Sequence, residues 1–192
     1  MNNKLINHLK KLLIKNNYLD LNTFLDVILY DKQFGFYNSI NRKKNELIGK
    51  EGHFITAPEI SQLFGELVGI WILQLCRENH FHNINLLELG PGKGTLMKDI
   101  LRTFSQQKEK IKIKIHLLEF SKVLKSYQKE KLKHYCHELK WYNNIFKIKD
   151  QLNDKPTIII SNEFFDCLPI NQYKFYKTKN IDTKKIVKFD KN

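Results

Sequence analysis

Two groups of residues in this 192-residue sequence have types and spacings that suit a ligand-binding or catalytic role. The first is a turn with glycine at every second position after an acid: Glu88, Gly90, Gly92 and Gly94, followed by Thr95. Glycine lets a backbone bend sharply and approach a ligand closely, because a Cβ atom would fill the ligand's space or forbid the dihedral angles. An acid just before the first glycine suits a ligand that carries a positive charge.

The spacing of these glycines separates the turn from two phosphate-binding motifs. A dinucleotide fingerprint needs Gly-x-Gly-x-x-Gly, and a phosphate loop ends in Gly-Lys-Ser/Thr after four intervening residues; neither pattern fits. The order Glu-x-Gly-x-Gly-x-Gly-Thr instead resembles motif I of class I S-adenosylmethionine (SAM) methyltransferases. The alternative is a turn that binds nothing, and it is disfavoured because three mid-fold glycines weaken a chain unless something approaches them.

The second group is an amide and two acids that follow an apolar run: Asn162, Glu163 and Asp166. The β-branched run at residues 157–161 predicts a central parallel strand that is buried on both faces. Ligands of open α/β sheets bind at the carboxyl ends of strands, beside the switch in strand order, so these residues are candidate catalytic groups. A plainer alternative stays open, in which Asp166 caps a turn and Glu163 is exposed.

The elements that must position both groups predict an α/β sheet. The apolar run into Glu88, the glycine turn and the amphipathic run at 96–104 indicate strand, turn and helix. A second strand at 111–118 ends at Glu119, where this architecture hydrogen-bonds ribose hydroxyls; capping of the next helix is the alternative. The remaining predicted elements are a helix from 121 to about 135, a short strand within 139–146, the strand at 157–161 and a hairpin from 173 to 189.

Helices precede the predicted sheet. Two amphipathic helices lie within residues 5–29, and a longer one runs from Pro58 to about Asn79. The longer helix carries an apolar stripe that we expect to pack on the core: Ile60, Leu63, Phe64, Leu67, Val68, Trp71, Ile72 and Leu75. We therefore expect an N-terminal helical region at 1–80 and a ligand-binding core at 81–192.

Composition disfavours several classes of protein. At 42% hydrophobic residues the chain can build one globular domain, and its three separated cysteines favour free thiols in a reducing compartment. The sequence shows neither a signal peptide nor a membrane span, so we expect the cytoplasm. The net charge of +13 does not by itself predict nucleic-acid binding, because the lysines are scattered over polar faces. No metal is expected, since the His134-x-Cys136-His137 spacing lacks a second ligand pair.

Longer strings resemble one family, the MidA-like methyltransferases. They are Tyr30-Asp31 with Gly35-Phe36-Tyr37, the string from Gly52 to Glu66, the glycine turn, and Asn162-Glu163-Phe164-Phe165-Asp166-x-Leu168-Pro169. The resemblance extends roughly from residue 18 onward. It implies a Rossmann-like class I SAM-dependent methyltransferase fold and SAM as cofactor. It also implies methyl transfer to an arginine of a protein substrate, which in mitochondrial members is a respiratory complex I subunit.

The resemblance also assigns residues to roles. The expected cofactor-binding residues are Glu88, Gly90, Gly92, Gly94, Thr95 and Glu119; the expected catalytic residues are Asn162, Glu163 and Asp166; the expected substrate-binding residues are Thr56, Pro58, Glu59 and Tyr37. The sequence departs from the family at Lys32, His53 and Cys167, where Pro, Asp and Ala are usual. His53 would remove one attraction for a cationic substrate. Family members are longer, so we expect a fragment, a truncated product or one half of a split protein.

Two other functions stay open. A methyltransferase that acts on RNA or a small molecule would share motif I, although base N-methylation usually shows Asn or Asp followed by Pro-Pro-aromatic at the fourth strand. A non-catalytic SAM-binding assembly protein is favoured by the short length and by His53. A homodimer is compatible with each of these functions.

Overall fold

The computed structural model describes residues 3–37, 55–108, 111–135, 138–152, 155–176 and 181–188. The chain divides into two compact units. The sheet unit is Lys44–Phe164, and the terminal unit combines Met1–Lys43 with Phe165–Asn192. The expected functional division at residue 80 stays a prediction.

The described helices and strands alternate along most of the chain. The helices are α1 (Asn3–Asn16), α2 (Leu21–Tyr30), α3 (Ala57–Ile60), α4 (Gln62–Glu78), α5 (Thr95–Ser105), α6 (Lys122–Leu132) and α7 (Phe146–Leu152), with a 3-10 helix at Phe165–Cys167. The strands are β1 (Leu19–Asp20), β2 (Asn83–Leu89), β3 (Lys112–Leu118), β4 (Leu139–Tyr142), β5 (Thr157–Ser161), β6 (Tyr173–Tyr176), β7 (Ile181–Lys184) and β8 (Ile186–Val187).

The sheet unit is built on a parallel sheet with the strand order β4-β3-β2-β5. Leu89, the last residue of β2, pairs with Leu118 in β3 and with Ser161 in β5, so the carboxyl ends of these three strands coincide. Nearly all of β2 is buried, as expected for a parallel strand covered on both faces. The predicted α/β, Rossmann-like class is confirmed. The strand at 157–161 is parallel as predicted, but the expectation that it is central and buried on both faces is wrong, because β5 is the last strand of the described sheet and Ile159 is 59% exposed.

Two apolar layers cover the two faces of this sheet. Successive side chains of a strand point to opposite faces, so Leu86 and Leu87 of β2 enter different clusters. The larger cluster includes residues of β2, β3, α4 and α5, and the smaller one is closed by Ile148 of α7. His116 of β3 is fully buried, where its ring nitrogens lie 2.9 Å from Tyr142 Oη and 3.2 Å from Asn85 Oδ1.

The single helix expected from Pro58 to about Asn79 is in fact two helices. Ser61 has extended backbone angles between α3 and α4, and its hydroxyl accepts a 3.2 Å hydrogen bond from the Leu63 N–H. This cap starts α4 and ends the shorter helix. Pro58 lies in the first turn of α3, as its fixed φ favours, and Thr56 is the N-cap residue without a side-chain capping bond.

The prediction of the buried face of α4 is wrong for most of its stripe. The helix buries Gly65, Gly69, Ile72, Leu73 and Cys76. A Cβ on Gly65 would lie 2.6 Å from Asp99 Cβ of α5, so the glycines let the two helices approach closely. Ile60 and Trp71 are instead 67% and 59% exposed, and Leu63, Phe64 and Leu67 are also exposed. The apolar pattern could not indicate this face because glycine carries no apolar side chain.

The terminal unit contains α1, α2 and two small antiparallel pairs. The predicted hairpin exists, since β6 pairs with β7 from Tyr173↔Lys184 to Tyr176↔Ile181. The expectation that Ile186 and Val187 belong to that hairpin is wrong, because β8 pairs with β1 instead. Phe189 and the expected turn at Lys179 and Asn180 lie outside the described residues. Within the described part of the chain, no helix is both long and apolar enough to cross a membrane.

Candidate functional site

The glycine turn connects the end of β2 to the start of α5. Gly90, Gly92 and Gly94 have φ angles of 66°, 53° and 77°, a left-handed backbone that side chains with a Cβ rarely adopt. The Gly90 N–H donates to the Leu118 carbonyl over 3.1 Å, which fixes the turn to the end of β3. A Cβ on Gly90 would lie 2.6 Å from Phe164 Cδ2, so this position also lacks space for a side chain.

Two buried acids flank the turn. Glu88 is 3% exposed, and its Oε2 has no hydrogen-bond partner among the described residues. Burial and the charge of Glu119 raise the pKa of Glu88 to about 8. Glu119 follows β3 directly and is also buried, which raises its pKa. The sheet therefore brings together two carboxyl groups that the sequence predicted to bind one cofactor.

Sequence reasoning missed Gln128 of α6, which is fully buried beside these acids. Its Nε2 donates to the Gly92 carbonyl over 2.7 Å and to Glu119 Oε2 over 3.1 Å. The Trp141 indole N–H donates to its Oε1 over 2.8 Å. A signal was present, because Gln128 replaces an apolar residue between Leu124 and Leu132 on the buried face of α6.

A second polar cluster lies at the start of α5. Thr95 Oγ1 donates to the Glu59 carboxylate, and Lys131 Nζ lies 2.5 Å from the same hydroxyl. Burial lowers the pKa of Lys131, while the charge of Glu59 acts in the opposite direction. Glu59 was expected to bind substrate, yet in this structure it contacts Thr95, which was expected to bind the cofactor. Thr56 is half-buried and Pro58 buried, and the substrate-binding role of all three residues stays a prediction.

The acids and amide after β5 begin beside the glycine turn. Ser161 pairs with Leu89, so Asn162 follows the sheet at the level of Gly90. Asn162 is half-buried, and Glu163 is exposed with a φ of 52°. Left-handed backbone is strained for a residue with a Cβ, and such strain concentrates at functional sites. Glu163 therefore remains a candidate catalytic residue, and its strained backbone, which the sequence could not show, is a further reason for that role.

Asp166 and Tyr37 belong to the terminal unit. Asp166 is exposed in the 3-10 helix, which follows the boundary between the units at Phe164. Tyr37 Oη donates to Cys167 Sγ over 2.9 Å, and burial together with this thiol raises the pKa of Tyr37. Tyr30 Oη donates to the Cys167 carbonyl over 2.6 Å. These contacts show how Tyr37 is held; its expected contact with substrate stays a prediction.

Two features noted in the sequence fall outside the part of the chain that the structure describes. One is His53, the departure that bears on substrate charge, and the other is the pair Cys136 and His137. Across the residues that are described, no group of three His, Cys, Asp or Glu side chains could hold a metal ion.

Comparison with known proteins identifies the family. Residues 67–191 match a family model described as "Putative S-adenosyl-L-methionine-dependent methyltransferase". The chain belongs to this family. The resemblance to MidA-like SAM methyltransferases is thereby confirmed.

Relatives and a solved structure extend this family assignment. The chain is 34% identical to "Protein arginine methyltransferase NDUFAF7, mitochondrial" of Danio rerio, over 94% of this chain and 46% of the relative. It is 31% identical to the Caenorhabditis elegans homologue, over 87% and 43%. A crystal structure from Burkholderia thailandensis bound to S-adenosyl-homocysteine shares the fold, with a TM-score of 0.71 at 16% identity over 99% of this chain and 51% of that one. The chain thus spans about half the length of these proteins.

SAM is the cofactor of this family, and the described residues fit it. The bare backbone of the three left-handed glycines leaves room for a ligand at the carboxyl ends of the strands. Glu88 carries a buried oxygen without a partner in the described chain, which suits a cation. Glu119 is an acid at the end of the next strand, where ribose hydroxyls bind in this architecture.

Proposed function

We propose that this chain binds SAM at the glycine turn and takes part in methyl transfer to an arginine of a protein substrate. The observation that carries SAM binding is the turn itself, in which Gly90, Gly92 and Gly94 are left-handed between the buried acids Glu88 and Glu119. The arginine is proposed from relatives whose names state arginine methylation.

Each cofactor-binding residue has a distinct proposed task. Glu119 accepts hydrogen bonds from the ribose hydroxyls. Glu88 loses its proton when the cationic part of the ligand lies beside it, and then supplies the negative charge. Gly90, Gly92 and Gly94 let the main chain contact the ligand without side chains between them. Thr95 starts α5, and its hydroxyl is held by Glu59 and Lys131.

In the proposed reaction, the main task of the protein is to align the nucleophile with the methyl group. SAM, when bound, supplies an activated methyl group on a sulfonium, so in-line displacement needs a nucleophile held behind that methyl. Correct alignment can contribute as much as about 7 to 11 kcal/mol to such a reaction. A protein that only positions its two ligands could therefore catalyse the transfer.

Arginine as the acceptor explains why acids are proposed as catalytic residues. Its guanidinium stays protonated and presents only donors, so carboxylates are needed to orient it and to stabilise the charge as a nitrogen attacks. The attacking nitrogen forms the new N–CH3 bond and loses one proton, while the S–CH3 bond breaks and S-adenosyl-homocysteine leaves. Glu163 and Asn162 are proposed for this task because they follow β5 beside the glycine turn. Asp166 is proposed because it follows the same strand in the sequence and because the resemblance assigns it this role.

The finer assignments are also proposals. A subunit of a complex I-type assembly is the proposed protein substrate, on the resemblance to the MidA-like family. The cytoplasm is the proposed location, and a mitochondrial location would follow only by analogy with the relatives. No nucleic-acid partner is proposed. A homodimer is compatible with these assignments.

Calorimetric titration with SAM tests the cofactor site. Each charge-assisted hydrogen bond contributes about 1.5 to 3 kcal/mol, so Glu119→Ala should weaken binding tenfold or more. Glu138→Ala removes an exposed acid from the same unit and should leave affinity unchanged. Absence of SAM binding by the folded wild type would overturn the proposal, and equal affinity in Glu119→Ala would overturn the ribose assignment.

Methyl transfer is tested separately with tritiated SAM and synthetic arginine peptides, each paired with a version in which lysine replaces arginine. We expect label only in arginine peptides and its loss in Glu163→Gln, with SAM affinity retained. Label in lysine peptides would contradict arginine as the acceptor, and full transfer by Glu163→Gln would contradict the catalytic assignment.

A further inference from the structure

We propose that Gln128 is a positioning residue for the cofactor, which holds the acid at the end of β3 and the glycine turn in one arrangement. This inference rests on the proposed binding of SAM at that turn. Gln128 lies on α6, outside every motif that indicates the cofactor site, and its side chain is fully buried. It deepens the proposed function by adding a residue that acts through Glu119 and Gly92.

The hydrogen bonds of Gln128 use both donors of its amide and its acceptor oxygen. Both N–H groups of Nε2 have acceptors, the Gly92 carbonyl at 2.7 Å and Glu119 Oε2 at 3.1 Å, and Oε1 accepts from the Trp141 indole. The orientation of the amide is fixed by its partners, because an indole N–H can only donate and a carbonyl can only accept. One side chain therefore joins the turn, the end of β3 and β4.

Side-chain packing also brings Gln128 into contact with the glycine turn. A Cβ on Gly94 would lie 3.2 Å from Gln128 Cγ, so the aliphatic part of Gln128 contacts the last glycine while its amide contacts the middle one. The other oxygen of Glu119 accepts a 2.9 Å bond from the Ser121 N–H, and Ser121 caps α6. Glu119 is thus oriented by hydrogen bonds from the Ser121 N–H and from Gln128, with the Phe120 N–H as a further donor.

The chemistry of the side chain explains why an amide suits this position. A lysine or arginine would neutralise Glu119 and would compete with a ligand for its charge. An amide donates a neutral hydrogen bond, so it does not neutralise the carboxylate and leaves it acceptor capacity for a ribose hydroxyl group. A methionine or leucine would leave the buried oxygen of Glu119, the Gly92 carbonyl and the Trp141 N–H without this partner.

The test compares ligands that differ only in the ribose hydroxyls. Adenosine and 2′,3′-dideoxyadenosine are titrated as competitors of S-adenosyl-homocysteine into wild type and Gln128→Met. We expect the wild type to prefer adenosine about tenfold and the variant to lose most of that preference. A general loss of stability would weaken both ligands equally. Gln128→Glu provides a second variant of similar size, and circular dichroism verifies that each variant folds.

Leu124→Ala is the matched control, because it truncates another buried residue of α6 without touching the amide contacts. It should lower the melting temperature and retain the preference for adenosine. Loss of the preference in this control, or its retention in folded Gln128→Met and Gln128→Glu, would overturn the inference, as would a wild type that binds both nucleosides equally. A wild type that fails to bind SAM and S-adenosyl-homocysteine would overturn the proposed function itself.

Discussion

Glu88 and Glu119 are two buried carboxyl groups at the carboxyl ends of neighbouring parallel strands, and the charge of Glu119 contributes to the raised pKa of Glu88. The like charges of Glu88 and Glu119 disfavour ionisation of both carboxyl groups at once in the free protein. A cation placed beside Glu88 would relieve that opposition. The pair therefore predicts that stability and ligand binding both depend on pH.

The first prediction is that native stability falls as pH rises from about 4.5 to about 8. The unfolded chain ionises Glu88 near its ordinary pKa of 4.5, whereas the folded chain holds the proton up to about 8. The folded state binds more protons across this window, so raising the pH favours unfolding. Urea denaturation at several pH values measures the effect, and Glu88→Gln should flatten the profile. A profile that is identical in the variant would show that Glu88 is already ionised when folded.

A second pH effect of opposite sign is expected from His116. Burial, together with Lys114 and Lys140, lowers its pKa from 6.5 to about 4. The stability that neutral His116 contributes is present above pH 6.5 and is lost as the pH falls through about 4, because only the unfolded chain accepts the proton readily. The difference in urea midpoint between wild type and His116→Gln should shrink as the pH falls. His82→Gln, at an exposed histidine, should show no such trend.

The third prediction separates strain from occupied space in the glycine turn. Gly92→Val should abolish SAM binding, because a branched side chain opposes a φ of 53° and fills ligand space. Gly92→Asn tolerates left-handed backbone and should fold more stably than the valine variant, yet it should also fail to bind. Calorimetry and thermal denaturation measure the two effects. Normal SAM affinity in the asparagine variant would place the ligand away from this residue.

The fourth prediction concerns the backbone strain at Glu163. Glycine accepts left-handed angles without steric cost, so Glu163→Gly should raise stability by about 1 kcal/mol. The same variant should lose methyl transfer to arginine peptides because the carboxylate is absent. His80→Gly is the control, since His80 has a similar φ of 56° and no proposed role in the reaction. It should gain stability with transfer unchanged; loss of transfer in this control would attribute the effect to the backbone and not to the acid.

The sequence alone determined the parallel sheet and the glycine turn. Periodicity and the β-branched run at 157–161 are local signals, and they predicted where the strands lie and that they are parallel. They did not predict that β5 lies at the edge of the described sheet and is partly exposed. Glycine spacing predicted a sharp turn at Gly90, Gly92 and Gly94, and the structure shows that all three have left-handed backbone angles. The motifs also sufficed for the family, which the match over residues 67–191 confirms.

The tertiary structure decided which faces are buried and which polar groups meet. The helix pattern selected the wrong face of α4, because Gly65 and Gly69 give no hydrophobic signal although they pack against Asp99 and Thr103 of α5. Gln128 lies 36 residues from Gly92 along the chain, and only the packing of α6 brings its amide to the turn and to Glu119. A hydrogen bond between distant residues leaves no periodic trace in a sequence, because each partner alone resembles an ordinary polar residue.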